Sequence, residues 1–287
     1  MPASVPPRSA ACAAPFAALR RGLLALLLLL WGGQGALADP AQIARLLRTN
    51  ELFALLQQES QSYGEELGAQ MARAVLPGWR EEVAQIYAPE KLVPRFEAEL
   101  GAALAQADAR PIERWLEGAA AQRVIALELE ARQRMLDPEA EAEAMTAVAE
   151  AEAAGDAKLA AVRRVIAASG VIETNVVGGL NANFAFYRAM AAHGAFPYAL
   201  SEAEMLAEVA AQEEAIRTDV TLWVEAYLYQ AYQSLSLPEL DLLAEFLASA
   251  PGQRLLAAEI AAFDQIYEDS SAELGRALAR HLRQQEL

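Results

Sequence analysis

Thiols are almost absent. The 287-residue chain has one cysteine, Cys12, inside a leader expected to be removed, so disulfides and thiolate metal sites are excluded from the rest. Histidine is nearly as scarce. His193 and His281 stand on separate segments, and no Glu-x-x-His or His-x-x-x-His spacing gathers donors for a metal. Both read as surface groups near helix ends, where a cation suits the dipole. Lysine occurs only at Lys91 and Lys158, and 23 Lys and Arg face 39 Asp and Glu for a formal charge of −16. A basic nucleic-acid surface is thereby excluded, and an anionic membrane surface is disfavoured. No stretch sustains the period-2 alternation of a half-buried strand, which leaves helices. There is no Gly-x-Ser-x-Gly elbow. Val177-Gly178-Gly179-Leu180 lies inside a helical pattern, where close helix packing outweighs a phosphate loop. Adjacent acids such as Glu81-Glu82 and Glu213-Glu214 point about 100° apart on a helix and read as solvated faces.

What is present begins with an export signal. Arg8, Arg20 and Arg21 form a basic segment, Gly22–Trp31 is an unbroken apolar core, and Ala36-Leu37-Ala38 is an A-x-A cleavage site. The apolar run is far short of the ~20 residues of a spanning helix, so residues 1–38 are expected to be a cleaved signal peptide, with no stable membrane insertion afterwards. Removing three arginines and no acid takes the charge from −16 to −19. The expected destination is the periplasm.

The remainder reads as helices punctuated by caps and prolines. Asp39-Pro40 opens the first, and Asn50 is a candidate cap for a second. Pro77-Gly78 precedes a short helix over 79–87, Pro89 opens one that tolerates Pro94 near its start, and Gly118 is a candidate stop before a helix over 119–136. Asp137-Pro138 starts an Ala/Glu-rich run over 139–154, expected to be a solvated bridging helix. Gly155, Asp156 and Gly170 then bound a helix that precedes a long one over 171–193. Ser201-Glu204 is a capping box, followed by one expected continuous helix to about Tyr232. Ser236-Glu239 is a second capping box, with an expected stripe of Leu242, Leu243, Phe246 and Leu247. After Pro251-Gly252, Leu256, Ile260, Phe263 and Tyr267 recur at helical spacing.

The chain also echoes itself. Displaced along its own numbering so that Trp115 meets Phe246, the segment Trp115–Ala131 matches Phe246–Ala262 at seven of seventeen positions, including Gln122/Gln253, Arg123/Arg254 and Glu128/Glu259. A weaker echo, at a slightly smaller displacement, relates Ile43–Leu56 to Val162–Asn175. The expected organisation is an all-α multi-helix bundle made of two duplicated halves, 39–136 and 156–287, joined by a bridge over 137–155.

The stretch Leu235–Leu256 has a capped Pro-Glu-Leu helix, a Phe-Leu end, a Ser/Pro/Gly break and Gln-Arg-Leu. It resembles the bacterial envelope family called domain of unknown function 2059, although Ala250 stands where that family usually has proline. The resemblance covers about sixty residues, and the first half only through the repeat. It implies a small α-helical exported or periplasmic domain and brings no activity and no catalytic residues.

Candidate residues are consequently few. Gln253 and Arg254, with Gln122 and Arg123 as their echo, follow helix breaks and are expected to bond the last carbonyls of the preceding helix. On that reading Arg254→Ala lowers stability by roughly 1–2 kcal/mol. Trp223 and Tyr227 share a helix face at i, i+4 and suit a core, with a ligand pocket or an interface as alternatives. No catalytic, cofactor or metal residues are expected. The function expected is non-enzymatic binding, with another envelope protein as partner. The alternatives are a carrier holding a small apolar or lipid-like ligand between the halves, and an envelope hydrolase using carboxylates.

Overall fold

A computed structural model describes residues 39–72, 76–105, 107–196 and 199–284; the expected signal peptide lies outside them. Among these residues there are thirteen helices and no strand. In order they are α1 Pro40–Leu46, α2 Thr49–Met71, α3 Trp79–Ile86, α4 Pro89–Leu104, α5 Arg110–Leu116, α6 Ala119–Arg134, α7 Pro138–Ala154, α8 Ala157–Ser169, α9 Val171–Ala192, α10 Glu202–Ala210, α11 Glu213–Ala231, α12 Leu237–Leu247 and α13 Ala250–Gln284.

Local chemistry sets most of the boundaries. Asp39, Asp137 and Asp156 each accept from a backbone N–H two residues on. The carboxylates of Glu204 and Glu239 reach back to the N–H of Ser201 and Ser236, completing both capping boxes. Lys158 stretches across to the carbonyls of Gln233 (2.8 Å) and Leu235, closing the end of α11 with a cation. Gly252 permits the tight α12–α13 turn, since a Cβ there would meet the Phe246 carbonyl oxygen at 2.0 Å.

Several boundaries differ from the sequence reading. The cap of α2 is Arg48 rather than Asn50, and it holds a left-handed backbone, φ 54°. Glycine is the residue that adopts this conformation freely; Arg48 does so while paired with Glu51. Gly118 is extended and begins α6 instead of stopping α5. The helix expected from Ser201 to Tyr232 breaks at Ala211-Gln212 into α10 and α11. Neither residue is a helix breaker; the two pieces pack on different partners. Met205 and Val209 of α10 seal a small cluster with Tyr187, whereas Ile216, Val220 and Trp223 of α11 enter the main core. Leu242 is 39% exposed and Leu240 takes its expected buried place. The bridge α7 also has an inner face, with Glu141, Ala144, Val148 and Ala151 buried and α11 as its main neighbour.

Helices α1–α6 and α8–α13 follow the same order of short and long elements, and the two sets interlock. The last helix of each leans on the fourth helix of the other: α13 packs on α4, and α6 packs on α11. One continuous apolar core accordingly runs from Ile43 to Ala279. The 35-residue α13, about 50 Å long at 1.5 Å per residue, is its spine, packed most extensively against α9. A Cβ at Gly275 would meet the Phe186 carbonyl oxygen at 2.7 Å, so α9 and α13 touch backbone to backbone there.

Candidate functional site

The residues singled out in the sequence fall into two constructions. In the first, Gln253 Nε2 donates to the carbonyl oxygens of Leu247 (2.6 Å) and Ala168 (3.1 Å). Gln122 Nε2 donates to those of Leu116 (2.6 Å) and Leu46 (2.9 Å). One amide thus satisfies the open end of the short helix before it and the end of the first helix of the same half. Leu46 corresponds to Ala168 by this bonding, and the left-handed junction Arg48 corresponds to Gly170 at the same displacement. The weaker echo, which set Ile43 on Val162 rather than on Val165, is therefore three positions out of register. Three positions are nearly one helical turn, so the apolar stripes still matched.

Glutamine alone does the work expected of glutamine and arginine together. One residue further along, the side chain is rotated by about 100° and leaves the helix-end carbonyls. Arg123 instead crosses to the other half, donating to Glu239 Oε1 (2.6 Å) and the Ser234 carbonyl oxygen (2.9 Å). Arg254 is exposed. Its charge falls on Asp108, adding to the bond from Arg110 that chiefly holds that carboxyl below its ordinary range. Asp108 and Glu239 are separated by the same offset as Gln122 and Gln253. Each arginine therefore addresses the acid that precedes or begins the other half's short helix.

The second construction surrounds Trp223 and Tyr227, which stack at 5.1 Å and 16° and are 5% and 3% exposed. The Arg132 guanidinium lies over the Trp223 ring at 5.7 Å and forks onto Glu59, Nε to Oε1 at 2.7 Å and Nη2 to Oε2 at 2.8 Å. Burial alone would lower the Arg132 pKa; Glu59 more than offsets it, so the guanidinium stays charged. Tyr227 donates its hydroxyl to the Glu128 carbonyl oxygen (3.1 Å), and Tyr232 donates to Glu128 Oε1. Glu128 is 1% exposed and its counterpart Glu259 2%. Burial pushes the Glu128 carboxyl up to about 8, the Tyr232 hydroxyl pulling it the other way. Glu259 is pushed well above the carboxylate range, first by burial and then by the neighbouring Glu128 charge.

Sequence reasoning passed over Arg132 and Glu59, and it read Glu128 and Glu259 only as matched positions of the echo. A signal was available: Glu128 and Arg132 continue the buried stripe of Ala121, Val124 and Ile125, and Glu259 continues that of Leu255 and Leu256. A charged residue on an inward stripe marks a buried charge or a buried neutral acid.

Buried carboxyls with raised titrations are the raw material of general acid–base chemistry. Here they are sealed by helices, so a solute reaches them only if the seam between the halves opens. The Trp223 ring is packed against Tyr227 and Arg132 and Tyr227 is hydrogen-bonded to Glu128, while the Trp223 Nε1 donor has no hydrogen-bond partner among the described residues. Nor are the histidines both exposed helix-end groups. His193 bonds back to the Ala189 carbonyl (2.9 Å), whereas His281 is largely buried against Trp79 and lies 2.9 Å from Glu82 Oε2. Among the described residues no group of three or more His, Cys, Asp or Glu is placed to hold a metal ion. No single described helix is long and apolar enough to cross a membrane. The bent pair α8–α9 passes by length and composition, and many of its residues are core residues of this bundle.

On the outside, Leu206, Leu222 and Val177 are 56%, 54% and 51% exposed, on α10, α11 and α9 respectively. The outward side of α7 carries a shallow open groove of about 340 Å³ lined by Glu139, Ala142, Glu143, Thr146, Ala147 and Glu150. Comparison with protein-family models, curated proteins and solved structures returned no match.

Proposed function

We propose that this chain is an exported, non-enzymatic helical protein of the periplasm that binds another protein of the cell envelope through its outer surface. The observation that carries this reading is the division of labour between inside and outside. The candidates of distinctive chemistry are buried, tie helix ends together or face the other half, whereas large apolar side chains of α9, α10 and α11 stand in solvent on an acidic molecule. Exposed apolar groups rimmed by polar surface are the usual raw material of a protein-binding face. The leader over residues 1–38 and the resemblance of Leu235–Leu256 to the domain of unknown function 2059 family support the location. One constant offset relates Gln122/Gln253, Arg123/Arg254, Glu128/Glu259 and Asp108/Glu239, and it supports origin of the two halves by duplication.

The test pairs two measurements on the exported protein. A photo-crosslinking residue at Leu206 or Leu222 is expected to trap one defined envelope protein in living cells, and the same residue at Glu143 to trap it less. Native mass spectrometry of the purified chain is expected to give the mass of the polypeptide from Asp39 onward. A stoichiometric lipid-sized adduct, with no crosslinked partner, would overturn the reading in favour of a carrier.

A further inference from the structure

The buried acids have no role in surface binding, and their arrangement is unusual. Glu128 of α6 and Glu259 of α13 occupy equivalent places in the two halves, at the offset shared by the paired glutamines. Glu128 sits where the halves interlock, under Tyr227 and Tyr232 of the other half, and its charge reaches Glu259. Another equivalent pair, Trp115 and Phe246, also joins the halves, with rings stacked 5.2 Å apart. Both carboxyls are almost completely buried. Only Glu128 has a partner for its side chain, the Tyr232 hydroxyl, while Glu259 Oε2 has no hydrogen-bond partner among the described residues. Two carboxyls this dry, one feeling the charge of the other, cannot both ionise without repulsion and desolvation.

We propose that Glu128 and Glu259 form a proton-held latch: the seam between the halves stays closed while the pair keeps its protons and loosens when both carboxyls ionise. Nearby charged groups do not relieve the pair. Arg132, on α6 itself, is committed to Glu59 of α2; α11 presents the hydroxyls of Tyr227 and Tyr232, and its Glu225 is held by Arg163. On α13, Tyr267 is buried and Asp264 is a half-buried acid pushed up by burial and then by Glu268. The cations of α4, Lys91 and Arg95, are held further along α13 by Glu273 and Asp269. On α5, Arg110 is held by Asp108, and on α12 Asp241 is held by Arg164.

The sign follows from linkage. An acid whose folded pKa lies above its unfolded value binds its proton more tightly when folded. Its contribution is complete below the unfolded pKa, ~4.3, and is lost as pH climbs through the folded value, about 8 for Glu128. Few other groups titrate between pH 7 and 9. The residues from Asp39 onward have no cysteine, two histidines and two lysines.

The experiment is thermal unfolding of the exported protein from pH 5.5 to 9.5, beside the isosteric double variant Glu128→Gln/Glu259→Gln. The wild type is expected to lose roughly 5–15 °C across pH 6.5–9, and the double variant to stay nearly flat. Side-chain carboxyl NMR of the wild type reads the latch without a substitution: one glutamate signal is expected to titrate near 8 and a second well above the ordinary carboxylate range. Equal pH profiles in the two proteins, or no carboxyl titrating above pH 6, overturns the proposal.

Discussion

Two places in the core are equivalent by the offset that relates the halves and are filled in opposite ways. Where α13 crosses α4, Phe96 and Phe263 lie 4.9 Å apart and join Phe53, at 5.7 and 5.8 Å, in a cluster of three rings. Where α6 crosses α11, the equivalent positions are Tyr227 and Arg132, and the junction is completed by Trp223, Glu59 and Glu128. One packing geometry therefore accepts either an oily cluster or a network of charges and hydroxyls. The oily one needs only shape. The polar one must pair its charges, because a buried unpaired charge costs several kcal/mol, and it still leaves the Trp223 Nε1 donor without a hydrogen-bond partner among the described residues. The contrast explains why Tyr rather than Phe occurs at 227: its hydroxyl has the Glu128 carbonyl to bond, whereas the Phe96 ring faces only other rings in its cluster.

The sharpest way to break the comparison is to remove one member from each side. Phe96→Ala should cost about 3–5 kcal/mol as a cavity. Arg132→Ala should cost a similar ~3–5 kcal/mol for a different reason, since it removes the cation that offsets the largely buried Glu59 charge. The double change Arg132→Leu/Glu59→Leu separates the two: converting the polar junction to an oily one should return to within ~1–2 kcal/mol of the wild type in urea unfolding. A double variant no better than Arg132→Ala would mean that the network is worth more than packing can replace.

Smaller effects test the paired helix ends. Gln122→Ala and Gln253→Ala each orphan two carbonyls and should each cost about 1–3 kcal/mol, to within a few tenths of one another. Arg123→Ala removes an exposed ion pair and should cost ~1 kcal/mol or less. Arg254→Ala should be nearly silent, well under the roughly 1–2 kcal/mol expected from sequence. Urea denaturation of the four variants checks the order.

The helices were legible because their ends are local chemistry. Asp39-Pro40, Asp137-Pro138, Ser201/Glu204 and Ser236/Glu239 satisfy backbone donors within a few residues of themselves, so reading them needs no tertiary knowledge. The break at Ala211-Gln212 was not legible. No local residue demands it; α10 turns away because Met205 and Val209 find Tyr187 while Ile216 and Val220 find the main core. That Gln253 alone of the Gln253-Arg254 pair bonds the helix end was not legible for a related reason. Sequence places both just past a break, and only the roughly 100° between neighbours decides which one faces the carbonyls. The buried Glu128/Glu259 pair was visible as an identity between the echoed segments, yet its burial depends on helices from both halves.

The two halves form one interlocked unit, since α6 belongs to one half and packs on the other, and α13 does the reverse. Native-state hydrogen exchange under increasing urea tests this most directly. The slow amides of α4, α6, α11 and α13 should converge on one opening free energy with one urea dependence. Amides of α1–α6 merging into an isotherm of lower free energy, with α8–α13 still protected, would show two separable domains and contradict the account.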